Sequence, residues 1–155
     1  MKTLINLTLT CLLILLGMYS KAQDANANDI KWKTNSIYGN LGIGGLYLTA
    51  TGYYERIIFK PFEKRNISPL VKVGYGGYAE WAGRGDYFVA RTGILTGIKK
   101  HHFETSIGIT YYYKYDMVWP SILAGYRIQK PNSPFLFRTG IGFPEALYVG
   151  IGLSF

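Results

Sequence analysis

Four residues whose side chains could do chemistry lie close together in the middle of the chain: His101, His102, Glu104 and Ser106. Histidine, serine and a carboxylate are the residue types of a hydrolytic triad, in which the acid orients the histidine and the histidine activates the hydroxyl. Because alternate residues of a strand point to the same side, His102, Glu104 and Ser106 would share a face. The spacing therefore allows a nucleophilic hydrolase to be considered.

The same residues do not favour a metal centre. Neighbouring residues of a strand point to opposite faces, so His101 and His102 cannot both bind one ion. The sequence holds only these two histidines and a single cysteine, Cys11. We therefore expect no metal site and no cofactor.

Composition restricts the elements that could position these residues. The chain has 155 residues, a length for one domain, with 48% hydrophobic, 16% aromatic and 17% charged residues. Average soluble domains are about 25% charged, so this chain has fewer charged residues than a soluble surface normally carries. The aromatic content excludes a disordered chain.

The N-terminal segment has the pattern of a secretory signal peptide. Lys2 precedes an apolar run from Leu4 to Met18, and the small residues Ser20 and Ala22 follow it. This pattern predicts a signal peptide over residues 1–22 with cleavage after Ala22, which would also remove Cys11. Residues 23–35 then form a polar lead-in.

The remaining segment, residues 36–155, divides into short alternating stretches separated by turn residues such as AGRGD, YDMVWP and PEA. Alternation with a period of two predicts strands, and their number predicts an all-β, eight-stranded antiparallel up-and-down barrel. The predicted strands are Ser36–Ile43, Leu46–Phe59, Ile67–Trp81, Tyr87–Ile98, His102–Lys114, Ser121–Gln129, Phe135–Phe143 and Leu147–Phe155.

The last nine residues alternate without exception, with Leu147, Val149, Ile151, Leu153 and Phe155 on one face. A strand of this kind that ends in an aromatic residue resembles the terminal strand of bacterial outer-membrane barrels. The resemblance implies that Tyr148, Gly150, Leu153 and Phe155 form the signal read by the barrel-insertion machinery. It also implies a location in the outer membrane, in contact with its lipid.

The isolated charges within the strands indicate which face is internal. A Lys or Arg that faces lipid at the midplane costs about 2–4 kcal/mol. If Lys72, Arg127 and Arg138 all faced outward, the total cost would be comparable to the whole stability of a domain. A soluble, lipocalin-like barrel is the structural alternative, but its outer face would be mainly Gly and Ser. We therefore predict a network of lumen charges made of Glu55, Lys72, Glu80, Arg91, Glu104, Arg127 and Arg138.

Segments such as GYRIQ and FLFRTGIG, together with the predicted topology, resemble small eight-stranded Gram-negative outer-membrane β-barrels of an uncharacterised family. The function expected first is a structural or interaction role with a closed, salt-bridged lumen. The alternatives are a narrow anion-leaning channel and a lipid A-modifying enzyme. We do not expect an enzyme, because the strand count puts His101 and His102 at the periplasmic rim and the His-x-Ser motif of barrel deacylases is absent. Export argues against nucleic-acid binding, and we expect a monomer.

Overall fold

A computed structural model describes residues 33–58, 67–97 and 100–155 of the chain. The predicted signal peptide over residues 1–22, and residues 23–32 of the predicted lead-in, lie outside the described residues. In the described part of the chain, no helix is long and apolar enough to cross a membrane.

The described residues form eight strands, each antiparallel to the next, and the last strand pairs with the first to close the barrel. The prediction of an all-β, eight-stranded up-and-down barrel is therefore confirmed. The strands are β1 Asn35–Gly44, β2 Tyr47–Ile57, β3 Ile67–Glu80, β4 Gly83–Thr96, β5 His101–Tyr112, β6 Met117–Gln129, β7 Phe135–Phe143 and β8 Ala146–Ser154.

Two strands begin four residues earlier than predicted. β4 starts at Gly83, because Arg84, Gly85 and Asp86 pair with β3 instead of forming the predicted loop. β6 starts at Met117 and includes Pro120, which lies opposite Ile109 of β5. Proline has no N–H to donate, but β6 pairs with β7 only from Ile122 onward, so the segment that holds Pro120 is a free edge on that side.

Side chains alternate between a buried inner face and an exposed outer face. Along β3 the inner face carries Leu70, Lys72 and Tyr78, whereas Val71 and Val73 are exposed on the outer face. Successive residues of a strand point to opposite sides, so this pattern fixes the contents of the whole interior. The charged side chains of most strands consequently lie inside, and the outer face is apolar.

Apolar and aromatic side chains fill the two ends of the interior. Ile57, Leu70 and Leu95 pack together near the end where the chain termini meet, where the backbone N–H of Asn35 donates to the carbonyl of Phe155 at 3.1 Å. Nearer the other end the buried residues are mainly tyrosines, including the stacked pair Tyr78 and Tyr87. The buried charged side chains lie between these two ends.

Candidate functional site

Five buried charged residues from five strands meet inside the barrel, and we call them the central charge network: Glu55, Lys72, Glu104, Arg127 and Arg138. Each is at most 2% exposed. Isolated charges are too costly to bury, so groups as inaccessible as these need partners of opposite sign. The strand register places Arg127 directly opposite Arg138, and the carboxylates that neutralise them come from other strands.

Glu104 is the centre of this network. Its Oε1 atom accepts a hydrogen bond from Lys72 Nζ and another from Arg138 Nη2 at 2.5 Å. Its Oε2 atom lies 3.7 Å from Arg127 Nη1. One carboxylate therefore serves three cations from three strands, which makes it the residue whose loss would leave the most charge unpaired.

Glu55 supplies the second carboxylate of the central charge network. It forms an ion pair with Arg127 and lies 4.0 Å from Arg138 Nη1. Tyr38 donates a hydrogen bond to Glu55 Oε2 at 3.2 Å, and the Arg138 guanidinium lies over the Tyr38 ring, 4.2 Å from its centroid. The aromatic ring thus adds a cation–π contact to the ion pairs.

A second buried ion pair, which we call the mouth pair, joins Arg91 of β4 to Glu145 in the turn between β7 and β8. Arg91 Nη2 donates to Glu145 Oε2 at 2.7 Å and to the Phe143 carbonyl at 2.8 Å. Tyr53 also donates a hydrogen bond to the Glu145 carboxylate. Burial by itself would raise the pKa of Glu145. Arg91 and the hydrogen bonds from Arg91 and Tyr53 lower the pKa by a larger amount, so it lies below its ordinary value and the turn carboxylate is ionised.

Glu145 is an interior charge that the sequence analysis missed, because PEA reads as an outward turn. The structure folds this turn inward over the barrel mouth, and Glu145 is fully buried there. Glu80, which the sequence analysis placed in the lumen, lies at the rim of the barrel. It occupies an inward position of β3, but at the last residue of the strand, where it is half-buried and accepts a hydrogen bond from Tyr115 at 3.0 Å.

The residues considered for hydrolysis lie on β5, with His102, Glu104 and Ser106 all buried on its inner face. Glu104 is occupied by the cations of the central charge network. His101 lies outside, stacked on Tyr126 with the ring centroids 5.8 Å apart. Among the described residues, no group of three His, Cys, Asp or Glu side chains could hold a metal ion.

Three residues of the predicted insertion signal divide between the two faces of β8, and Phe155 follows the strand. Tyr148 and Gly150 are buried inside, whereas Leu153 and Phe155 are exposed outside. A Cβ on Gly150 would lie 2.1 Å from Asn40 Oδ1 and 2.8 Å from the Gly39 carbonyl oxygen. Glycine at this position thus has a packing role in the barrel, separate from any recognition by the insertion machinery.

We expect Gly150→Ala to destabilise the barrel by about 1–3 kcal/mol, because the new methyl group overlaps Asn40 and backbone atoms. Gly39→Ala is the matched control, since the nearest atom to its Cβ would be the Thr51 carbonyl oxygen at 4.0 Å. Urea unfolding of both variants, refolded from pure protein without insertion machinery, measures the difference. Equal stability of the two variants would show that Gly150 is not needed for packing.

The fold and the buried ion pairs define a class of protein: a small closed β-barrel with a charged interior and an apolar exterior. Comparison of the chain with protein-family models, with curated proteins and with solved structures gives no match.

Proposed function

We propose that this chain is a bacterial outer-membrane barrel with a structural or interaction role, and that its lumen is closed by the central charge network and the mouth pair. The observation that carries the proposal is the apolar outer face. Soluble monomers rarely expose contiguous apolar patches of more than a few hundred Å². Here aliphatic side chains are exposed on the outer face of all eight strands: Ile37, Leu41, Ile43, Leu48, Val71, Val73, Ile94, Ile107, Ile109, Ile122, Ile141, Leu147, Val149 and Ile151.

The placement of the outward charges supports a lipid-facing exterior. In the described strands the outward Lys, Arg, Asp and Glu residues are Arg56, Arg84 and Asp86, and all three lie close to strand ends. Charges near the interface cost little, because a long side chain can reach water from there. A lipid-facing surface needs this arrangement, whereas a soluble surface does not.

The dimensions and the aromatic residues also fit a membrane-spanning barrel. The strands are 9 to 14 residues long, and a tilted strand of about 9–11 residues crosses the hydrocarbon core. Aromatic side chains are exposed on the outside near both ends of the barrel, with Phe103 and Phe135 towards the end that carries the termini and Trp81 and Tyr113 at the other. Girdles of this kind are typical of membrane barrels.

A closed lumen is supported by the burial of the ion pairs. The interior of the described residues holds four cations, Lys72, Arg91, Arg127 and Arg138, against three carboxylates, none of these seven side chains more than 4% exposed. An eight-stranded barrel is only wide enough for its own side chains to fill. The excess positive charge would favour anions if a passage existed, and this favours the anion-leaning channel as the second candidate.

Two measurements test the proposal. Protein from the outer-membrane fraction is expected to run faster on a gel when it is not boiled, because a closed barrel resists detergent. The purified barrel is then expected to give no conductance steps in planar bilayers. Soluble periplasmic protein without a boiling shift would contradict the membrane location. Discrete anion-selective conductance steps would contradict the closed lumen and favour the anion-leaning channel.

A further inference from the structure

The mouth of the barrel opposite the chain termini holds an aromatic cavity of about 300 Å³, which we call the aromatic cup. This volume lies at the small end of the range for ligand pockets, which are mostly apolar with a few placed polar groups. Six aromatic side chains line the aromatic cup: Tyr47, Tyr78, Tyr112, Tyr115, Trp119 and Phe143. They come from β2, β3, β5, β6 and β7 and the turn between β5 and β6.

Most of the lining of the aromatic cup belongs to the inner face of the barrel. Tyr47, Tyr78, Tyr112 and Trp119 occupy strand positions with the same alternation as the buried interior, so they belong to the inner face. The cup therefore lies above the lumen, and Phe143 is the exception among these rings, since its position in β7 has the outward parity. A ligand in this position would arrive from solution on that side of the barrel.

The rings are held in place by one another, which gives the aromatic cup a preformed shape. Tyr112 meets Tyr78 edge-on with ring centroids 5.6 Å apart, and it packs against Phe143 at 6.4 Å. Trp119 also packs against Phe143, with the ring centroids 6.1 Å apart. Such mutual packing restricts these rings, so a ligand would have fewer side chains to order.

One carboxylate, Glu80, lies in the wall of the aromatic cup. It accepts a hydrogen bond from Tyr115, and no Lys or Arg of the described residues forms an ion pair with it. By contrast, the carboxylate beneath the cup, Glu145, is already neutralised by Arg91. The cup thus combines π faces with a carboxylate that takes part in no ion pair among the described residues, in a chain whose formal net charge is +8.

We propose that the aromatic cup binds a small organic ammonium cation, with the aromatic rings around the cation and Glu80 as the counter-charge. Aromatic cages of this composition bind alkylammonium groups through the negative faces of the rings. The structure already shows the attraction at the rim, where Lys114 Nζ lies over the Tyr115 ring at 5.3 Å from its centroid. Lys114 itself is not among the residues that line the cup.

The probe is choline chloride, titrated against the full barrel in maltoside detergent, which carries no ammonium group. Trp119 reports the binding by its fluorescence once Trp32→Phe and Trp81→Phe have removed the other two tryptophans. The neutral isostere of choline, with carbon in place of the quaternary nitrogen, has the same shape without the charge. We expect choline to bind at least about fivefold more tightly than this isostere.

Two variants separate the aromatic cup from general electrostatic attraction. Glu80→Gln is expected to weaken choline binding by about fivefold or more and to leave binding of the isostere unchanged. Asp116→Asn removes a carboxylate from the same end of the barrel that does not line the cup, and it should leave both affinities unchanged. An unaltered gel shift on boiling verifies that each variant is folded.

Three outcomes would overturn the proposal: no choline binding up to roughly 0.1 M, equal binding of choline and its isostere, or equal effects of the two acid variants. A further arm uses vesicles of phosphatidylcholine and of phosphatidylglycerol without added choline. Because Trp119 belongs to the inner face and not to the lipid-facing surface, its emission should be the same in both. A headgroup-dependent change as large as that caused by choline would assign the cup to a lipid headgroup and would refute a soluble ligand.

Discussion

Ile107→Lys is expected to prevent stable folding into lipid, at a cost of about 2–4 kcal/mol. Ile107 lies in the middle of β5 on the outer face, where 62% of it is exposed, and it pairs with the outward Ile122 of β6. In the proposed membrane this position is near the midplane, where a lysine ammonium must be removed from water. Urea titration of folding into phosphatidylcholine vesicles, followed by gel migration, measures the loss.

Ile67→Lys is the control for this substitution, because it makes the same chemical change on the outer face at the first residue of β3. Ile67 is 45% exposed and lies at the strand end, where an outward lysine should cost at most about 1 kcal/mol. A soluble barrel predicts a different result, in which both exposed lysines change stability by no more than about 0.5 kcal/mol. Similar small effects at the two positions would therefore refute the lipid-facing exterior.

The faces of the barrel could be predicted from sequence because alternation is a local property. Lys72, Arg127 and Arg138 lie among small and apolar neighbours in strands whose period of two is clear, and the structure places all three inside. Face and depth are different quantities, however. Glu80 has the inward parity that the sequence indicates, yet it lies at the rim, because alternation says nothing about the position along the barrel axis.

The partners of the interior charges could not be predicted, because they depend on how the strands are staggered around the barrel. Lys72 lies opposite Glu55 on the neighbouring strand, but its ion pair is with Glu104, two strands away on the other side. Glu145 was missed for a related reason. Its inward direction is set by the fold of a turn, where the strand period that indicates the inner face does not apply.

Local residue preferences also failed where pairing between strands was stronger. Arg84, Gly85 and Asp86 have the composition of a turn, yet the register of the β3–β4 hairpin extends through them to Gly83. Pro120 suggested a break before β6, but it occupies an unpaired edge where a missing N–H has no cost. Such positions are decided by tertiary contacts, which sequence preference alone does not contain.

Glu104→Gln is expected to destabilise the barrel by about 3–5 kcal/mol, because it leaves a buried charge network with three cations and one carboxylate. Lys72 and Arg138 both donate to Glu104 Oε1, and neither can be solvated instead, since both are at most 2% exposed. Glutamine keeps the size of the side chain and one acceptor oxygen. The loss of stability is therefore due to the missing charge and not to a cavity. Urea unfolding of the refolded barrel measures it.

Glu80→Gln makes the same chemical change at the rim and should alter stability by no more than about 0.5 kcal/mol. The double variant Lys72→Met/Glu104→Gln then decides whether lost charge balance or altered local packing causes the loss of stability in Glu104→Gln. Removing one cation together with the carboxylate restores part of the balance, so the double variant should be more stable than Glu104→Gln alone, with a coupling of about 1–3 kcal/mol. Additive losses would mean that Lys72 and Glu104 stabilise the barrel independently, and that the lumen is held closed by packing instead of by its ion pairs.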